Sequence, residues 1–596
     1  MDTSVSLQAI DYIVLAVILL VSLGIGVLFA VKDFKNATRI EYLLGGRRMF
    51  MLPVALSIFA TFTSGISLIG IPTDFYLYGA MANLINVGMA MSCLYVMLLF
   101  VPLLYPLHLM SLYEYLHLRF ESRAVRLLAV VLAMLQTIGY MSVTLLSPAL
   151  AMQASVGLPL WLSIGVIGLI GALYTAIGGI KSVVWTDVFQ CLVTLGGVLT
   201  IIIKGFSVVG GGHAVFKIVQ ENGRASFTEM SFDPRVKFTW WGTTFGFSIY
   251  WFSTICSQSS LQRISGMRSM TAAKQAFLMN SVLFIVYGAM LTAMSWVTFA
   301  YFVHIRCDPF EAAIVSNKNQ LPPYFVMRAL RDVPAIGGIY MAMIFSSSLS
   351  TVSSGINALA ANTVEDFLKR RLHKLQESTA TLITKVLVFL YGILIIVFAY
   401  GANSLQGSVT QIMISNTGGW GGVVVGMFLL GALIPWANKY GAISGAVLAL
   451  IVSMWITLGS YISGPKSIVL PSPPTDMCFQ NRSLTEFATN FSSQSYSGTT
   501  TTFSSQTRQL SNLTSYQEKS PSDDGFFMYD ISHLWFSAIS STITFVVGIA
   551  VSYCTRKYCA SVTDQKYLFV AIRKLWFPEK TNVTQELNSD EMAVMI

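Results

Sequence analysis

The chain has 596 residues, of which 54% are hydrophobic and only 11% are charged. Soluble proteins carry about 25% charged residues, so this composition, with a mean hydropathy of +0.65, excludes an ordinary soluble domain and indicates a polytopic membrane protein. The net charge of +9 does not indicate a nucleic-acid partner, because the basic residues flank apolar segments, as membrane orientation requires. The expected partner is the lipid bilayer.

Thirteen apolar stretches are long enough to cross that bilayer. They lie at residues 10–31, 51–79, 82–107, 126–154, 159–178, 184–204, 239–262, 276–303, 335–361, 382–400, 409–434, 442–463 and 531–554. The first stretch has spanning length and no evident small-residue cleavage site, which favours a membrane helix over a cleavable signal peptide. We therefore predict an all-α protein with thirteen transmembrane helices and with its termini on opposite sides of the membrane.

The basic residues predict which loops lie in the cytoplasm and which lie outside the cell. The loops after the odd-numbered stretches, together with the tail, contain most of the 37 basic residues. The loop after the seventh stretch, for example, contributes Arg263, Arg268 and Lys274. Because short basic loops stay in the cytoplasm, we predict a multi-pass protein of the plasma membrane. Its N-terminus is extracellular, residues 1–50 continue through the first helix into a cytoplasmic loop, and the tail at 555–596 is cytoplasmic.

The long loop at 465–530 supports this orientation independently. It is rich in Ser and Thr and contains three glycosylation sequons, which begin at Asn481, Asn490 and Asn512. Glycosylation requires the lumenal or outer side, where the charge pattern also places this loop.

The seven cysteines are scattered without the spacing of a metal site. Cys307 and Cys478 fall in two predicted loops, and the sequence leaves open whether they form a disulfide. No paired carboxylates, metal-ligand cluster or nucleophile–base arrangement is evident, so we do not expect an enzyme.

The ninth stretch carries a row of hydroxyl groups at residues 345–355, FSSSLSTVSSG. Ser347, Ser350, Thr351 and Ser354 are spaced i, i+3, i+4, i+7 and therefore share one face of a helix. Oxygen ligands without thiols or imidazoles suit a hard cation. The alternative is helix packing, because small hydroxyl residues also crowd helix–helix interfaces in membranes.

Two stretches differ from ordinary lipid-facing helices. The second combines Gly65, Gly70 and Pro72 with several hydroxyl residues, and the seventh mixes Gly and Ser with aromatic residues, so both predict helices interrupted in mid-membrane. They are five stretches apart, as two inverted five-helix repeats would require. Broken helices at matching positions indicate the binding site of a transporter. The alternative is a pair of kinks with no ligand.

Several motifs, taken in their order and spacing, resemble the sodium/solute symporter family over nearly the whole chain. They are Tyr42-Leu-Leu-Gly-Gly-Arg-Arg, Ile69-Gly-Ile-Pro-Thr, Leu112-Tyr-Glu-Tyr-Leu-His-Leu-Arg-Phe, Tyr174-Thr-Ala-Ile-Gly-Gly-Ile-Lys-Ser-Val-Val-Trp-Thr-Asp-Val-Phe-Gln, Gln262-Arg, Ser350-Thr, Ala361-Asn-Thr-Val-Glu-Asp and Gly426-Met-Phe-Leu-Leu-Gly-Ala-Leu-Ile-Pro-Trp-Ala-Asn. The residues of these motifs are similar to those of the iodide, monocarboxylate and multivitamin transporter branch of the family. This resemblance implies a LeuT-type core of two inverted five-helix repeats, at 51–204 and 239–434. One helix precedes the core and two peripheral helices, within 442–554, follow it.

The resemblance also implies sites. The main sodium site would combine the backbone carbonyls of Ala60 and Thr63 with the side chains of Ser347, Ser350 and Thr351. A second sodium position is implied at Ser64, Ser67 and Asp187. At Ser67 the iodide carriers have a longer Gln, and Asp187 is equally suited to stabilise the dipole at the start of the sixth helix. The implied substrate contacts are Phe62, Ser67, Asn86, Tyr140, Tyr250, Trp251 and Phe428.

These features predict a symporter that uses co-transported sodium to import a small organic anion, such as lactate, nicotinate, biotin or pantothenate, by alternating access. The sequence leaves other interpretations open, namely an iodide-like symporter, a sugar symporter, a passive channel, or a sodium-dependent sensor on the same fold that does not transport.

Overall fold

The structure, a computed structural model, describes residues 7–33, 49–177, 180–372, 374–402, 407–463, 469–478, 527–558 and 564–577. The predicted glycosylation sites at Asn481, Asn490 and Asn512 lie outside the described residues, as do most of the loop at 465–530 and the tail beyond residue 577. Within the described ranges the chain consists of helices joined by turns and loops.

Each predicted apolar stretch coincides with helical residues. The helices are α1 (Ala9–Asp33), α2 (Met51–Phe62), α3 (Gly65–Tyr78), α4 (Ala80–Leu107), α5 (Glu114–Phe120), α6 (Arg123–Val156), α7 (Leu160–Ile177), α8 (Ile180–Val209), α9 (Gly212–Glu221), α10 (Phe247–Ile255), α11 (Gln258–Gly266), α12 (Met270–His304), α13 (Leu321–Ala329), α14 (Ile336–Asn362), α15 (Glu377–Ala402), α16 (Val409–Leu433), α17 (Lys439–Ser463), α18 (Phe536–Cys554) and α19 (Val570–Trp576).

In the described part of the chain, ten helices are long and apolar enough to cross a membrane, or eleven if the bent pair α2 and α3 counts as one span. The fifth predicted stretch gives the shorter helix α7, and the seventh is divided between α10 and α11. By length and composition alone, the structure therefore does not reach the predicted count of thirteen spans.

The predicted interruption of the second stretch lies between α2 and α3, whose axes differ by 53°. Thr63 and Ser64 leave the helical conformation, with ψ angles of 83° and 169°. Ser64 then caps α3, because its Oγ accepts the Ile66 N–H at 3.3 Å. Gly70 and Pro72 lie inside α3 rather than at the break. The interruption therefore lies at Thr63 and Ser64, directly before the predicted Gly65, and not at Gly70 or Pro72.

The seventh stretch is interrupted in the same manner. A π-helical segment (Gly242–Gly246) leads into α10, and the chain then leaves the helix at Cys256 (ψ 60°) and Ser257 (ψ 169°) before α11 begins. Cys256 is buried, and Ser257 is partly buried and lines a pocket. Unwound backbone at membrane depth is tolerated only in such protected surroundings, because its peptide groups need partners other than lipid.

Helix α14, which carries the hydroxyl row, lies at the centre of the molecule. The most apolar window of its span is 94% buried, compared with 22% for α1 and 28% for the span of α15. It packs against α2, α6 and α8. The outer helices α1 and α15 therefore shield the centre from lipid. The hydroxyl row on α14 is not exposed to lipid.

A strap at the beginning of the long loop, residues 469–478, packs against one end of the bundle. Cys307 and Cys478 form a disulfide, a pairing that the sequence left open. On the same strap the Leu470 N–H donates to the Leu77 carbonyl at 2.9 Å. Buried Arg224 donates to the Pro471 carbonyl at 2.8 Å. These bonds hold the strap against the end of α3.

Candidate functional site

The break between α2 and α3 packs directly on α14. On one side of the break, the hydroxyls of Thr61 and Ser354 are 3.1 Å apart. On the other side, a methyl group added at Gly65 would lie 2.4 Å from Ser348 Oγ, so only a glycine permits this approach. The backbone from residue 60 to residue 63 therefore runs beside the hydroxyl row, as the predicted sodium site requires.

Three hydroxyls of the row donate hydrogen bonds to acceptors within the protein. Ser347 Oγ donates to the Ile344 carbonyl at 3.0 Å, and Thr351 Oγ1 donates to the Ser347 carbonyl at 3.0 Å. Ser350 Oγ donates to Asp187 Oδ1 at 2.6 Å. A hydroxyl that donates its proton directs its lone pairs elsewhere, and lone pairs are what a hard cation needs. The donor set therefore fits sodium.

Asp187 lies inside α8, more than a turn beyond Ile180, and is fully buried. The interpretation that it stabilises the first turn of its helix is therefore wrong. Its Oδ2 accepts a hydrogen bond from Ser57 at 2.6 Å and forms an ion pair with Arg263 at 2.9 Å. Asp187 thus connects α8 with α2, with α11 and, through Ser350, with the hydroxyl row.

The prediction that Arg263 lies in the basic loop after the seventh stretch is wrong. It lies in α11, is fully buried, and donates to the hydroxyls of Thr61 (2.7 Å) and Ser354 (2.8 Å) as well as to Asp187. A buried charge is stable only when it is paired and hydrogen-bonded. The pair therefore ties both broken helices to α14 from one side.

The structure does not bring the second predicted sodium set together. Ser64 caps α3, and Ser67 bonds to the Ser64 carbonyl (2.8 Å) and to the hydroxyl of Tyr287 (2.9 Å). Asp187 instead contacts the α2 side of the break, through Ser57. Among the described residues, no hydrogen bond joins Asp187 to Ser64 or Ser67.

A pocket opens beside the two breaks, between α2, α6, α10 and α16. Its walls mix hydroxyl, amide, sulfur and apolar groups, and none of the residues that line it is charged. They are Thr61, Phe62, Tyr113, Ala133, Gln136, Thr137, Tyr140, Met141, Ser253, Thr254, Cys256, Ser257, Ser259, Gly355, Thr417 and Val424.

Two of the seven predicted substrate contacts line this pocket, and two more pack directly behind its wall. Phe62 and Tyr140 line it. Tyr250 lies behind the wall and shares a hydrogen bond of 3.0 Å with pocket residue Thr417. Trp251 packs edge-on against Phe62, with ring centroids 6.4 Å apart. The broken seventh stretch therefore supplies aromatic support for the pocket.

The remaining three predicted contacts do not line the pocket either. Ser67 faces Tyr287. Asn86 bonds to the Asn83 carbonyl at 2.9 Å. Phe428 stacks on Tyr115, with ring centroids 5.3 Å apart. Phe428 lies four residues beyond the pocket residue Val424 on α16, and its ring contacts that of the pocket residue Tyr113, with centroids 6.5 Å apart, so it lies beside the pocket without lining it.

The family model described as "Sodium:solute symporter family" matches residues 42–449, which include both breaks and the hydroxyl row. The chain belongs to this family. The expected resemblance is therefore confirmed, and sodium is the ion to which transport in the family is coupled.

Curated relatives in this family cover most of the chain. It is 34% identical to the mouse sodium-coupled monocarboxylate transporter 2, over 92% of the chain and 84% of the relative. It is 36% identical to the sodium-dependent multivitamin transporter of Oryctolagus cuniculus (95% and 85%). It is also 34% identical to the human sodium-coupled monocarboxylate transporter 1 (91% and 87%).

Among solved structures, the chain is similar to a Na+-coupled sialic acid symporter in its substrate-bound, outward-open state. The TM-score is 0.70 at 22% identity, over 93% of this chain and 99% of that one. At this level of identity the similarity shows the fold. The expected all-α fold of a LeuT-type sodium symporter is confirmed, while the count of thirteen helices stays a prediction.

Within this symporter fold, sequence reasoning missed the partner of Asp187 and the amide of Gln136. A signal for the first was present, because an acid inside an apolar stretch requires a counter-charge, and Arg263 follows a polar segment at the end of another stretch. For Gln136 no spacing pattern was available. Its role depends on which helices meet at the pocket.

Proposed function

We propose that the chain imports a small organic anion, a monocarboxylate or a vitamin such as lactate, nicotinate, biotin or pantothenate, in symport with sodium. The observation that carries this proposal is the break of α2 against the hydroxyl row of α14, beside an uncharged pocket. The names of the similar proteins support the choice of monocarboxylates and vitamins.

In this proposal the main sodium ion is held by the carbonyls of Ala60 and Thr63 and by Ser347, Ser350 and Thr351. Breaking the helix frees carbonyls that would otherwise be hydrogen-bonded within it, and these complete a cage for a hard cation. One sodium ion and one monovalent anion carry no net charge together, so the sodium gradient drives import in this scheme, and only a further sodium ion would add about 2.3 kcal/mol per 100 mV of membrane potential. Bound sodium then holds α2 against α14.

The anion would bind in the pocket without a charged partner. An uncharged pocket binds a small anion through neutral hydrogen-bond donors, through the helix N-terminus at Ser64, and through the nearby sodium ion. Such contacts hold an anion more weakly than an arginine would, which suits a carrier that must release its substrate. Alternating access follows when the two repeats move about this midplane site.

We also propose the predicted topology: thirteen spans, two inverted repeats with one helix before and two after them, and an extracellular N-terminus. The disulfide between Cys307 and Cys478 supports it, because both cysteines lie in loops that the charge pattern places outside. Disulfides persist in the oxidising extracellular environment. The plasma membrane is the expected location.

The test is uptake of radiolabelled lactate, nicotinate, biotin, iodide and glucose by cells that express the chain, in sodium medium and in choline medium. We expect sodium-dependent accumulation of a carboxylate and not of glucose or iodide. Accumulation that ignores sodium would indicate a passive channel. Ligand-evoked current without accumulation, at normal surface expression, would contradict transport and favour the sensor.

A further inference from the structure

The pocket wall contains a carboxamide that the proposed sodium site does not use. Gln136 of α6 lines the pocket and is 8% exposed. Its Nε2 donates to Ser253 Oγ of α10 at 3.1 Å. Ser253 Oγ gives its own single proton to the Tyr250 carbonyl at 2.6 Å, so it can only accept from Gln136. The hydrogen-bond network therefore fixes the Gln136 nitrogen, not its oxygen, toward Ser253.

The backbone of α16 holds this carboxamide in place. A methyl group added at Gly421 would lie 2.4 Å from Gln136 Nε2 and 2.5 Å from Ser253 Oγ. A side chain larger than hydrogen at this position would displace the pair. Three helices that meet only in the folded protein therefore restrict the amide to one orientation, so little conformational entropy is lost when it binds a ligand.

The amide nitrogen keeps one N–H for a ligand. Ser253 takes one of its two protons, and no other acceptor for Gln136 is found among the described residues. The residues that line the pocket carry no positive charge. A carboxylate is the strongest acceptor that such a site can receive, because a charged partner strengthens a hydrogen bond.

We propose that Gln136 recognises the carboxylate of the substrate and that Ser253 and Gly421 position its amide. This inference rests on the proposed function, since it names the group that selects the anion in the same pocket. A neutral donor of fixed direction discriminates between a carboxylate and the corresponding neutral amide, and it still releases the anion.

The test compares variants in uptake of radiolabelled nicotinate and lactate. Gln136→Met keeps the shape and removes the donor, and Gly421→Ala keeps the amide and displaces it. We expect both to raise the KM for the carboxylate at least tenfold, with maximal rate and half-maximal sodium concentration within twofold of wild type. Gln136→Glu places a negative charge at the same atoms and should abolish uptake.

Two control variants match these changes. Thr144→Val lies on the same helix, and its hydroxyl is used by the Tyr140 carbonyl at 2.9 Å. Gly196→Ala adds a methyl group where no atom lies within 4 Å. Both should leave KM and rate unchanged. Surface biotinylation corrects for expression. If Gln136→Glu does not reach the surface, the two single variants Gln136→Met and Gly421→Ala still test the proposal.

A second readout separates recognition from packing. In wild type, unlabelled nicotinate should inhibit uptake far better than neutral nicotinamide, and Gln136→Met should reduce this ratio about tenfold. A lower maximal rate with unchanged KM and unchanged ratio would overturn the inference and leave the pair a packing contact. Absence of sodium-dependent uptake in the wild type would overturn the proposed function as well.

Discussion

Ser350 and Thr351 are the two side chains of the proposed sodium site that a substitution tests most directly. Each donates its proton to a protein acceptor, Asp187 in one case and a backbone carbonyl in the other, so an oxygen lone pair is left for a cation. The same residues in a packing interface would show the same burial, so burial alone does not distinguish the two roles. Sodium dependence does.

We expect Ser350→Ala or Thr351→Ala to raise the sodium concentration for half-maximal uptake about tenfold, or ~1.4 kcal/mol, because one oxygen ligand is lost. Sodium titrations of uptake measure this. The control is Thr384→Ala on α15, whose buried hydroxyl donates to the Ala380 carbonyl of its own helix. Unchanged sodium activation in both site variants would contradict the proposed sodium site.

The buried pair of Asp187 and Arg263 is also tested at the residue scale. Arg263→Gln leaves a buried carboxylate without its cation, which costs about 3–5 kcal/mol. The double variant Asp187→Asn with Arg263→Gln removes both charges and keeps hydrogen-bonding groups, so it should retain more folded protein than either single variant. Thermal stability followed by size-exclusion chromatography measures this, and strictly additive losses would show that the two residues are uncoupled.

At the scale of elements, α1 is connected to the helix that carries the site. Asp11 of α1 accepts the Gly338 N–H in the first turn of α14 at 2.9 Å. A methyl group at Gly338 would lie 2.4 Å from the Asp11 carbonyl oxygen, so the two helices touch backbone to backbone. The helix that precedes the core therefore caps the hydroxyl-bearing helix.

We expect Asp11→Ala to lower the stability of the protein by about 1–3 kcal/mol, because a buried N–H loses its partner. Gly338→Ala should act in the same direction by pushing α1 away. Apparent melting temperature of the purified transporter is the measurement. The control is Gly24→Ala in α1, where no atom lies within 4 Å of the added methyl group, and it should have no effect. A loss of stability in this control equal to that of Asp11→Ala would refute the capping role.

At the scale of the whole molecule, the proposed orientation in the membrane rests on the distribution of charge. With an extracellular N-terminus, the loop at 465–530 lies outside and the sequons at Asn36 and Asn582 lie inside. We expect replacement of Asn481, Asn490 and Asn512 by Gln to remove the gel-mobility shift caused by glycosidase treatment. Replacement of Asn36 and Asn582 should change nothing, and a shift that depends on them would reverse the topology.

The sequence by itself determined the membrane class, the helix positions, the central role of the ninth stretch and the break in the second. These follow from hydropathy and helical spacing, which are local properties of the chain. The family motifs are equally readable without coordinates. The position of the break at Thr63 and Ser64, rather than at the more conspicuous Gly70 and Pro72, already depended on which backbone groups found partners in the folded protein.

Only the tertiary structure decided which residues meet across helices. It paired Asp187 with Arg263, joined Cys307 to Cys478, and directed Ser67 toward Tyr287 instead of the pocket. Lipid requires each helix to be apolar overall, so the few polar groups reveal their partners only when the helices pack.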